Sequence, residues 1–434
     1  MRQTRRASPF PLFLLLLLAQ PALAQDLPRA TPEEVGLSSA RLERLTAAFR
    51  RYVEEDRLPG SVILVARKGK VAYFEAFGQR DREARAPMTT DAIFRIASQT
   101  KAIVSVAVMM LQEEGALLIT DPVGKYLPEF RNTTVAVARD GGGYDVVAAK
   151  RPITIRDLLT HTAGIGYGGG IARDRWAKAG IQGWYFAGRD EPIAETVKRM
   201  AALPFDAQPG ERFVYGYSTD ILGVVVEKVS GMPLDEFLRT RIFEPLKMRD
   251  THFYLPPAKR ERLAVVYSAA EAGGLERAPD PGGMVGQGAY VDGPRKSFSG
   301  GAGLLSTARD YARFLQLLLN GGELDGVRLL SRKTVELMTA DHIGEVYGRP
   351  GEGFGLGFAV VKDLGARGLP GSVGEYGWGG AYHSVYWVDP REELVVVYFT
   401  QLIPAGALDD HAKLRALVYQ AIVDRGSGRL DPAS

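Results

Sequence analysis

Apolar and polar positions alternate differently along the chain, strand-like near both ends and helix-like between. Leu42, Leu45, Ala48 and Phe49 recur at helical spacing with charged residues between them. They predict an amphipathic helix within residues 25–56, capped by Ser38 or Ser39. Two β-rich runs, 61–66 and 71–76, flank Lys68-Gly69-Lys70 and read as a hairpin. Residues 98–117 start polar and turn strongly apolar, which predicts a buried helix whose N-terminus faces a functional site. Residues 131–153, with Gly141-Gly142-Gly143, read as a loop-rich excursion. Helices are expected at 155–163, 191–203, 218–230 and 307–319. Strands return at 355–361, 383–388 and 394–400, before a last helix over about 409–424. This order predicts an α/β (α+β) fold: an antiparallel sheet built from both termini, flanked by helices, with a mostly helical lobe inserted. The sheet lobe covers about 35–97 and 340–425, and the helical lobe about 98–340. No internal repeat is visible.

The 434 residues are 46% apolar, which excludes wholesale disorder. Single cores stop growing near ~250–300 residues, so two lobes are expected. Arg2, Arg5 and Arg6, the apolar run 12–18 and Ala22-Leu23-Ala24 form a secretory signal peptide over residues 1–24. The expected product is periplasmic or secreted, with one domain over 25–425 and no membrane span. Loss of the leader takes three arginines and no acid, leaving 51 basic against 51 acidic side chains. No basic block remains for nucleic acid. With no cysteine, thiol catalysis and thiolate metal sites are excluded, and stability rests on the core.

Ser98-Gln99-Thr100-Lys101 is the most informative tetrapeptide. On a helix, positions i and i+3 share a face, with Cβ atoms about 5–6 Å apart, so the amine reaches the hydroxyl. Serine needs a base to become a nucleophile, and lysine serves only as the free amine, a form that burial and a helix N-terminus favour. Alone, S-x-x-K is a loose pattern, equally a helix cap followed by a solvated lysine. Two further motifs follow in order. Tyr215-Gly216-Tyr217 offers a phenol to relay a proton, or simply a core tyrosine before a helix. Gly377-Trp378-Gly379-Gly380-Ala381 lets backbone approach a ligand closely, or turns at a strand edge. Backbone N–H groups of Ser98 and Ala381 would form an oxyanion hole.

In this order and spacing the motifs resemble the serine β-lactamase and penicillin-binding-protein superfamily, most closely the class C-like (family VIII-type) carboxylesterases. Connecting text at 121–130, 153–168, 209–231, 300–314 and 377–390 extends the resemblance over about residues 35–400. The resemblance implies Ser98 as the acylated nucleophile, Lys101 as its base and Tyr215 as the Y-x-N tyrosine. Trp378, Gly379 and Gly380 stand where the family has K-T-G or H-x-G. Tyr217 falls where lactamases carry Asn. A shifted reading has Tyr217 as the catalytic phenol and Thr219 in the Asn place. Trp378 replaces a lysine that would pair with a carboxylate, which suits uncharged esters. The reading is therefore ester hydrolysis of a small molecule without cofactor. A β-lactamase or D-amino-acid peptidase, an acyltransferase and an inactive sensor are its rivals.

Other candidates carry less. His161 is read as a structural turn residue. His383 is either a substrate contact or a buried strand start. His252, His342 and His411 lack metal-ligand spacing, so no metal is expected. The alternating glycines of 351–358 open no helix after a strand and precede no Walker lysine, so nucleotide binding is not supported. Trp176, Trp184 and Tyr185 either line an acyl pocket or pack the helical lobe.

Overall fold

The computed structural model describes residues 26–424; the leader expected at 1–24 and its cleavage point lie outside them. An eight-stranded sheet runs, edge to edge, through Glu352–Phe354, Ala359–Val361, Tyr376–Gly380, Ser384–Asp389, Leu394–Thr400, Gly60–Arg67, Lys70–Asp81 and Ala86–Pro87. Neighbouring strands are antiparallel throughout. The two ends of the chain meet at its centre, where Ser61 pairs with Thr400 and Arg67 with Leu394. Among the described residues, no helix is long and apolar enough to cross a membrane.

Side-chain alternation explains why the central strands are continuously apolar. In Gly60–Arg67, Val62, Leu64 and Ala66 join a core with Ile103, Val104, Phe314 and Phe399. Ile63 and Val65 face the other way, into Leu45, Phe49, Leu414 and Val418. Both faces are thus covered: one by Thr100–Glu113 and Ala308–Leu319, the other by Ser39–Glu54 and the closing helix Asp410–Tyr419. Each fully buried Phe, Leu or Ile adds about 1.5–3 kcal/mol. That burial does the work for which no disulfide exists.

Local signals place several elements as expected. Ser38 is the residue that caps the first long helix, its hydroxyl accepting from the Arg41 N–H. The hairpin turns on Lys68 and Gly69, both at positive φ. The helix Ser218–Ser230 coincides with its predicted span and ends on left-handed Gly231. Other elements differ. The excursion at 131–153 contains a hairpin, Thr134–Ala138 with Tyr144–Ala148, closed by the three glycines at positive φ. Of the strand predicted at 355–361 only Ala359–Val361 forms; Gly355–Phe358 is the connection from a preceding strand, Glu352–Phe354. Tyr376–Gly380 is itself a strand, where the glycines suggested a turn. Pairing with Ser384–Asp389 overrides the poor strand propensity of glycine there.

Candidate active site

Ser98 sits in a single 3₁₀ turn, Ala97–Gln99, that leads straight into the buried helix Thr100–Glu113. Ala97 holds φ +41°, a conformation that costs a non-glycine residue about 1–3 kcal/mol. The surroundings fix it. The Gln99 carbonyl accepts from the Tyr311 hydroxyl at 2.8 Å, and the Thr100 hydroxyl accepts from the Leu304 N–H at 3.1 Å.

One turn later comes Lys101, 1% exposed, its side-chain nitrogen close to the nucleophile turn. Nζ lies 3.3 Å from Ser98 Oγ, 3.1 Å from the Tyr167 hydroxyl and 2.8 Å from the Gly301 carbonyl. Its hydrogen-bond partners are thus a hydroxyl, a phenol and a carbonyl, with no carboxylate among them. Gly301 is itself placed by Asp220, whose Oδ1 accepts from the Gly301 N–H at 3.1 Å and the Ser299 hydroxyl at 2.6 Å. Burial raises the Asp220 carboxyl, although Ser299 and Lys101 oppose the shift. Tyr167 was not among the residues the motifs selected. Its one sequence signal is a tyrosine between two glycines, the second of them held at positive φ against backbone. A Cβ on Gly166 would meet Asp206 Oδ2 at 2.4 Å, and one on Gly168 the Ile181 carbonyl at 2.6 Å. Burial pushes the Tyr167 phenol well above its ordinary value, with Tyr215 and Asp220 adding to the effect, so it stays protonated.

Tyr215 lies flat beneath the amine, with Lys101 Nζ 4.5 Å from its ring centroid. Its hydroxyl accepts from Trp378 Nε1 at 2.9 Å. Behind it His161 packs at 4.7 Å between ring centroids, with Phe213 and Phe354 around it. Burial, then Lys101, push His161 well below its usual value. It is neutral, at positive φ just past the helix Ile155–Leu159, and serves as packing.

The Trp-Gly-Gly strand runs against the nucleophile turn. A Cβ on Gly380 would come within 2.6 Å of the Ile96 carbonyl. Ser98, Tyr167, Trp184, Tyr215, Trp378, Gly379, Gly380, Ala381 and His383 line one cavity of about 660 Å³. Tyr217 is not brought there. It is fully buried and donates to the Gly183 carbonyl at 2.7 Å, stacked on Trp176. Trp176 and Tyr185 also serve the helical lobe, donating to Pro204 O and accepting from the Ala289 N–H respectively; only Trp184 of the three reaches the cavity.

At the cavity's far side His383 Nε2 contacts Asp410 Oδ1 at 2.7 Å, and Tyr398 donates to Asp410 Oδ2 at 2.6 Å. His411 donates from Nε2 to the His383 carbonyl at 3.0 Å. Among the described residues these three bring ligand atoms within 4.8 Å of one another, a group their sequence separation conceals. The imidazoles are stacked, 4.1 Å apart and 19° from parallel. Lone pairs in such rings lie in near-parallel planes and do not converge on an ion, so the arrangement suits a hydrogen-bonded network better than a metal.

The family model for β-lactamases matches residues 45–420. Esterase EstB of Burkholderia gladioli is 36% identical over 397 residues, 86% of this chain and 94% of its own. A putative D-alanyl-D-alanine carboxypeptidase of Salmonella typhimurium is 27% identical over 414 residues, 88% of each chain. Among solved structures, EstCE1, a hydrolase with promiscuous acyltransferase activity, aligns with a TM-score of 0.77 at 29% identity. That alignment covers 88% of this chain and 98% of the other.

Proposed function

The chain belongs to the β-lactamase family, and from that premise we propose that it is a serine hydrolase of carboxylic esters acting through an acyl-enzyme on Ser98. The observation that carries the reading is the 3.3 Å contact of Lys101 Nζ with Ser98 Oγ, in a shell otherwise made of a phenol and a carbonyl. With no carboxylate paired to it, Lys101 as the free amine can accept the proton of Ser98. Ser98 Oγ then attacks the ester carbonyl carbon. The proton on Lys101 leaves with the alcohol, passed through the adjacent phenols Tyr215 and Tyr167. The oxyanion faces the backbone N–H groups of Ser98 and Ala381, where one such donor is worth about 10²–10³ in rate. Water completes the cycle by attacking the acyl carbon; its proton passes to Lys101 and on to Ser98 Oγ as the C–O bond breaks and the acid leaves.

The 36% identity to an esterase and the uncharged indole of Trp378 in the K-T-G place favour esters over lactams. Turnover of p-nitrophenyl butyrate beside nitrocefin tests the preference. Ester hydrolysis abolished by Ser98→Ala is expected. Fast nitrocefin hydrolysis without ester turnover would overturn it in favour of a lactamase or D-amino-acid peptidase. No fluorophosphonate labelling of wild type, or equal labelling of wild type and Ser98→Ala, would favour an inactive sensor. Export is part of the proposal, supported by the leader pattern of residues 1–24. A mature N-terminus other than Gln25 in secreted material would count against it.

A further inference from the structure

The cavity that holds Ser98 is lined by three guanidinium groups, Arg349, Arg367 and Arg415, and by two carboxylates, Glu352 and Glu375. Four of the five neutralise one another. Arg367 binds Glu352 at 2.9 Å and Glu375 at 3.0 Å, and Arg415 binds the second oxygen of Glu375 at 2.7 Å. Arg349 is the surplus charge. Among the described residues it has no carboxylate partner, and its contacts are aromatic. Its guanidinium carbon lies 5.3 Å from the Tyr347 ring centroid and 5.9 Å from that of Trp378.

That seat connects it to the chemistry. Trp378 donates to the Tyr215 hydroxyl, and the Tyr215 ring lies under Lys101 Nζ. A guanidinium resting on ring faces spends its π-face on the contact and keeps its planar N–H edge for a ligand. That edge matches a carboxylate, to which it bonds through two parallel hydrogen bonds. The charge missing from position 378 is thus supplied from the exposed connection before Glu352–Phe354, through space. The expectation of an uncharged-ester pocket came from position 378 alone.

Resting on the acyl-enzyme reading above, we propose that Arg349 forms a carboxylate subsite and that the preferred substrates are esters carrying an anionic group several bonds beyond the scissile carbonyl. Arg349 is then a specificity residue, with no part in bond making or breaking. Two esters with the same leaving group test it: p-nitrophenyl butyrate, and the p-nitrophenyl monoester of adipate, whose acyl chain ends in a carboxylate. The wild type should show the higher kcat/KM on the adipate monoester. Arg349→Ala should lower that value at least tenfold, mainly through KM, and lower the neutral ester by a clearly smaller factor. Arg349→Lys should restore part of the loss, and raised salt should weaken only the anionic ester. An equal fall on both esters, or no fall on the adipate monoester, overturns the subsite. Calorimetry with monomethyl adipate on Ser98→Ala protein gives a readout free of turnover. Arg349→Ala added to that background should weaken binding at least tenfold; equal binding, or none in either protein, also overturns it. Persistent ester turnover by Ser98→Ala would instead sink the acyl-enzyme reading, which separates the two failures.

Discussion

The indole N–H of Trp378 and the hydroxyl of Tyr215 meet at 2.9 Å, with their ring centroids 5.4 Å apart. Donation from the indole fills one lone pair on the phenol oxygen and leaves its O–H directed elsewhere in the cavity. Replacing that N–H by carbon should cost the relay without emptying the wall. For Trp378→Phe we expect kcat/KM on p-nitrophenyl butyrate to fall about tenfold, since a neutral hydrogen bond is worth about 0.5–1.5 kcal/mol. Thermal unfolding should stay nearly unchanged. Wild-type kinetics in this variant would mean the bond has no part in the reaction.

Asp220 acts at one remove from the nucleophile, by holding Gly301 so that its carbonyl meets Lys101. Asp220→Asn keeps an acceptor oxygen for the Ser299 hydroxyl and the Gly301 N–H. Asp220→Ala leaves both buried donors unpaired, at about 1–3 kcal/mol each in desolvation. The alanine variant should therefore lose stability in urea unfolding as well as kcat. The asparagine variant should fold nearly as well yet titrate differently, because the charge near Lys101 is gone. Matching pH–rate profiles for wild type and Asp220→Asn would show that only the shape of the side chain matters.

Contacts within one turn were readable from the sequence, and contacts across the fold were not. Ser98 and Lys101 are three apart, in the 3₁₀ turn and the first turn of the helix it leads into, so spacing alone puts them together. Tyr215 and Trp378 are 163 residues apart and only the family pattern links them. Tyr167 escaped because a phenol in a loop has no periodicity. Arg349 and the Asp410–His383 pair escaped for the same reason: folded topology, and no local pattern, carries them to the cavity. Tyr217, adjacent in sequence to the site, points into the helical lobe because residues two apart in an irregular loop need not share a face. Glycine misled in the other direction. Its low strand propensity hid Tyr376–Gly380, whose strand is imposed by the ladder beside it.

That strand yields a contrast between neighbours. Gly380 passes so near the nucleophile turn that an added methyl meets the Ile96 backbone oxygen at 2.6 Å, a contact that cannot yield by rotating a side chain. At Gly379 the nearest atom is the Ser384 oxygen at 3.2 Å. Gly380→Ala should push the strand from Ser98 and widen the oxyanion site, with a loss of 10²-fold or so in kcat, on the order of one oxyanion donor. Gly379→Ala should lose far less. Equal activity in the two variants would detach the strand's close approach from the chemistry.

Away from the cleft, His252 sets a pH dependence on folding. Lys259 Nζ, which only donates, lies 3.0 Å from His252 Nε2, so the ring must be neutral to accept. Burial, reinforced by Lys259, brings its pKa down to about 4 from 6.5. A base whose folded pKa is depressed stabilises the fold fully above its unfolded pKa and loses that stability as pH falls toward the folded one. Going from pH 7.5 to 5 should cost about 2 kcal/mol through this group. Asp310 works against it: burial raises its carboxyl to about 6, so its ionised form is a burden that acid relieves. Asp250, held at about 2 by Arg262 and Lys259 against the penalty of burial, matters only below about pH 4. The difference between wild type and His252→Gln isolates the histidine. In urea unfolding at the two pH values the variant should lose about 2 kcal/mol less than the wild type. Equal losses in both proteins would mean that His252 is already protonated in the fold, and that Lys259 sits elsewhere in solution.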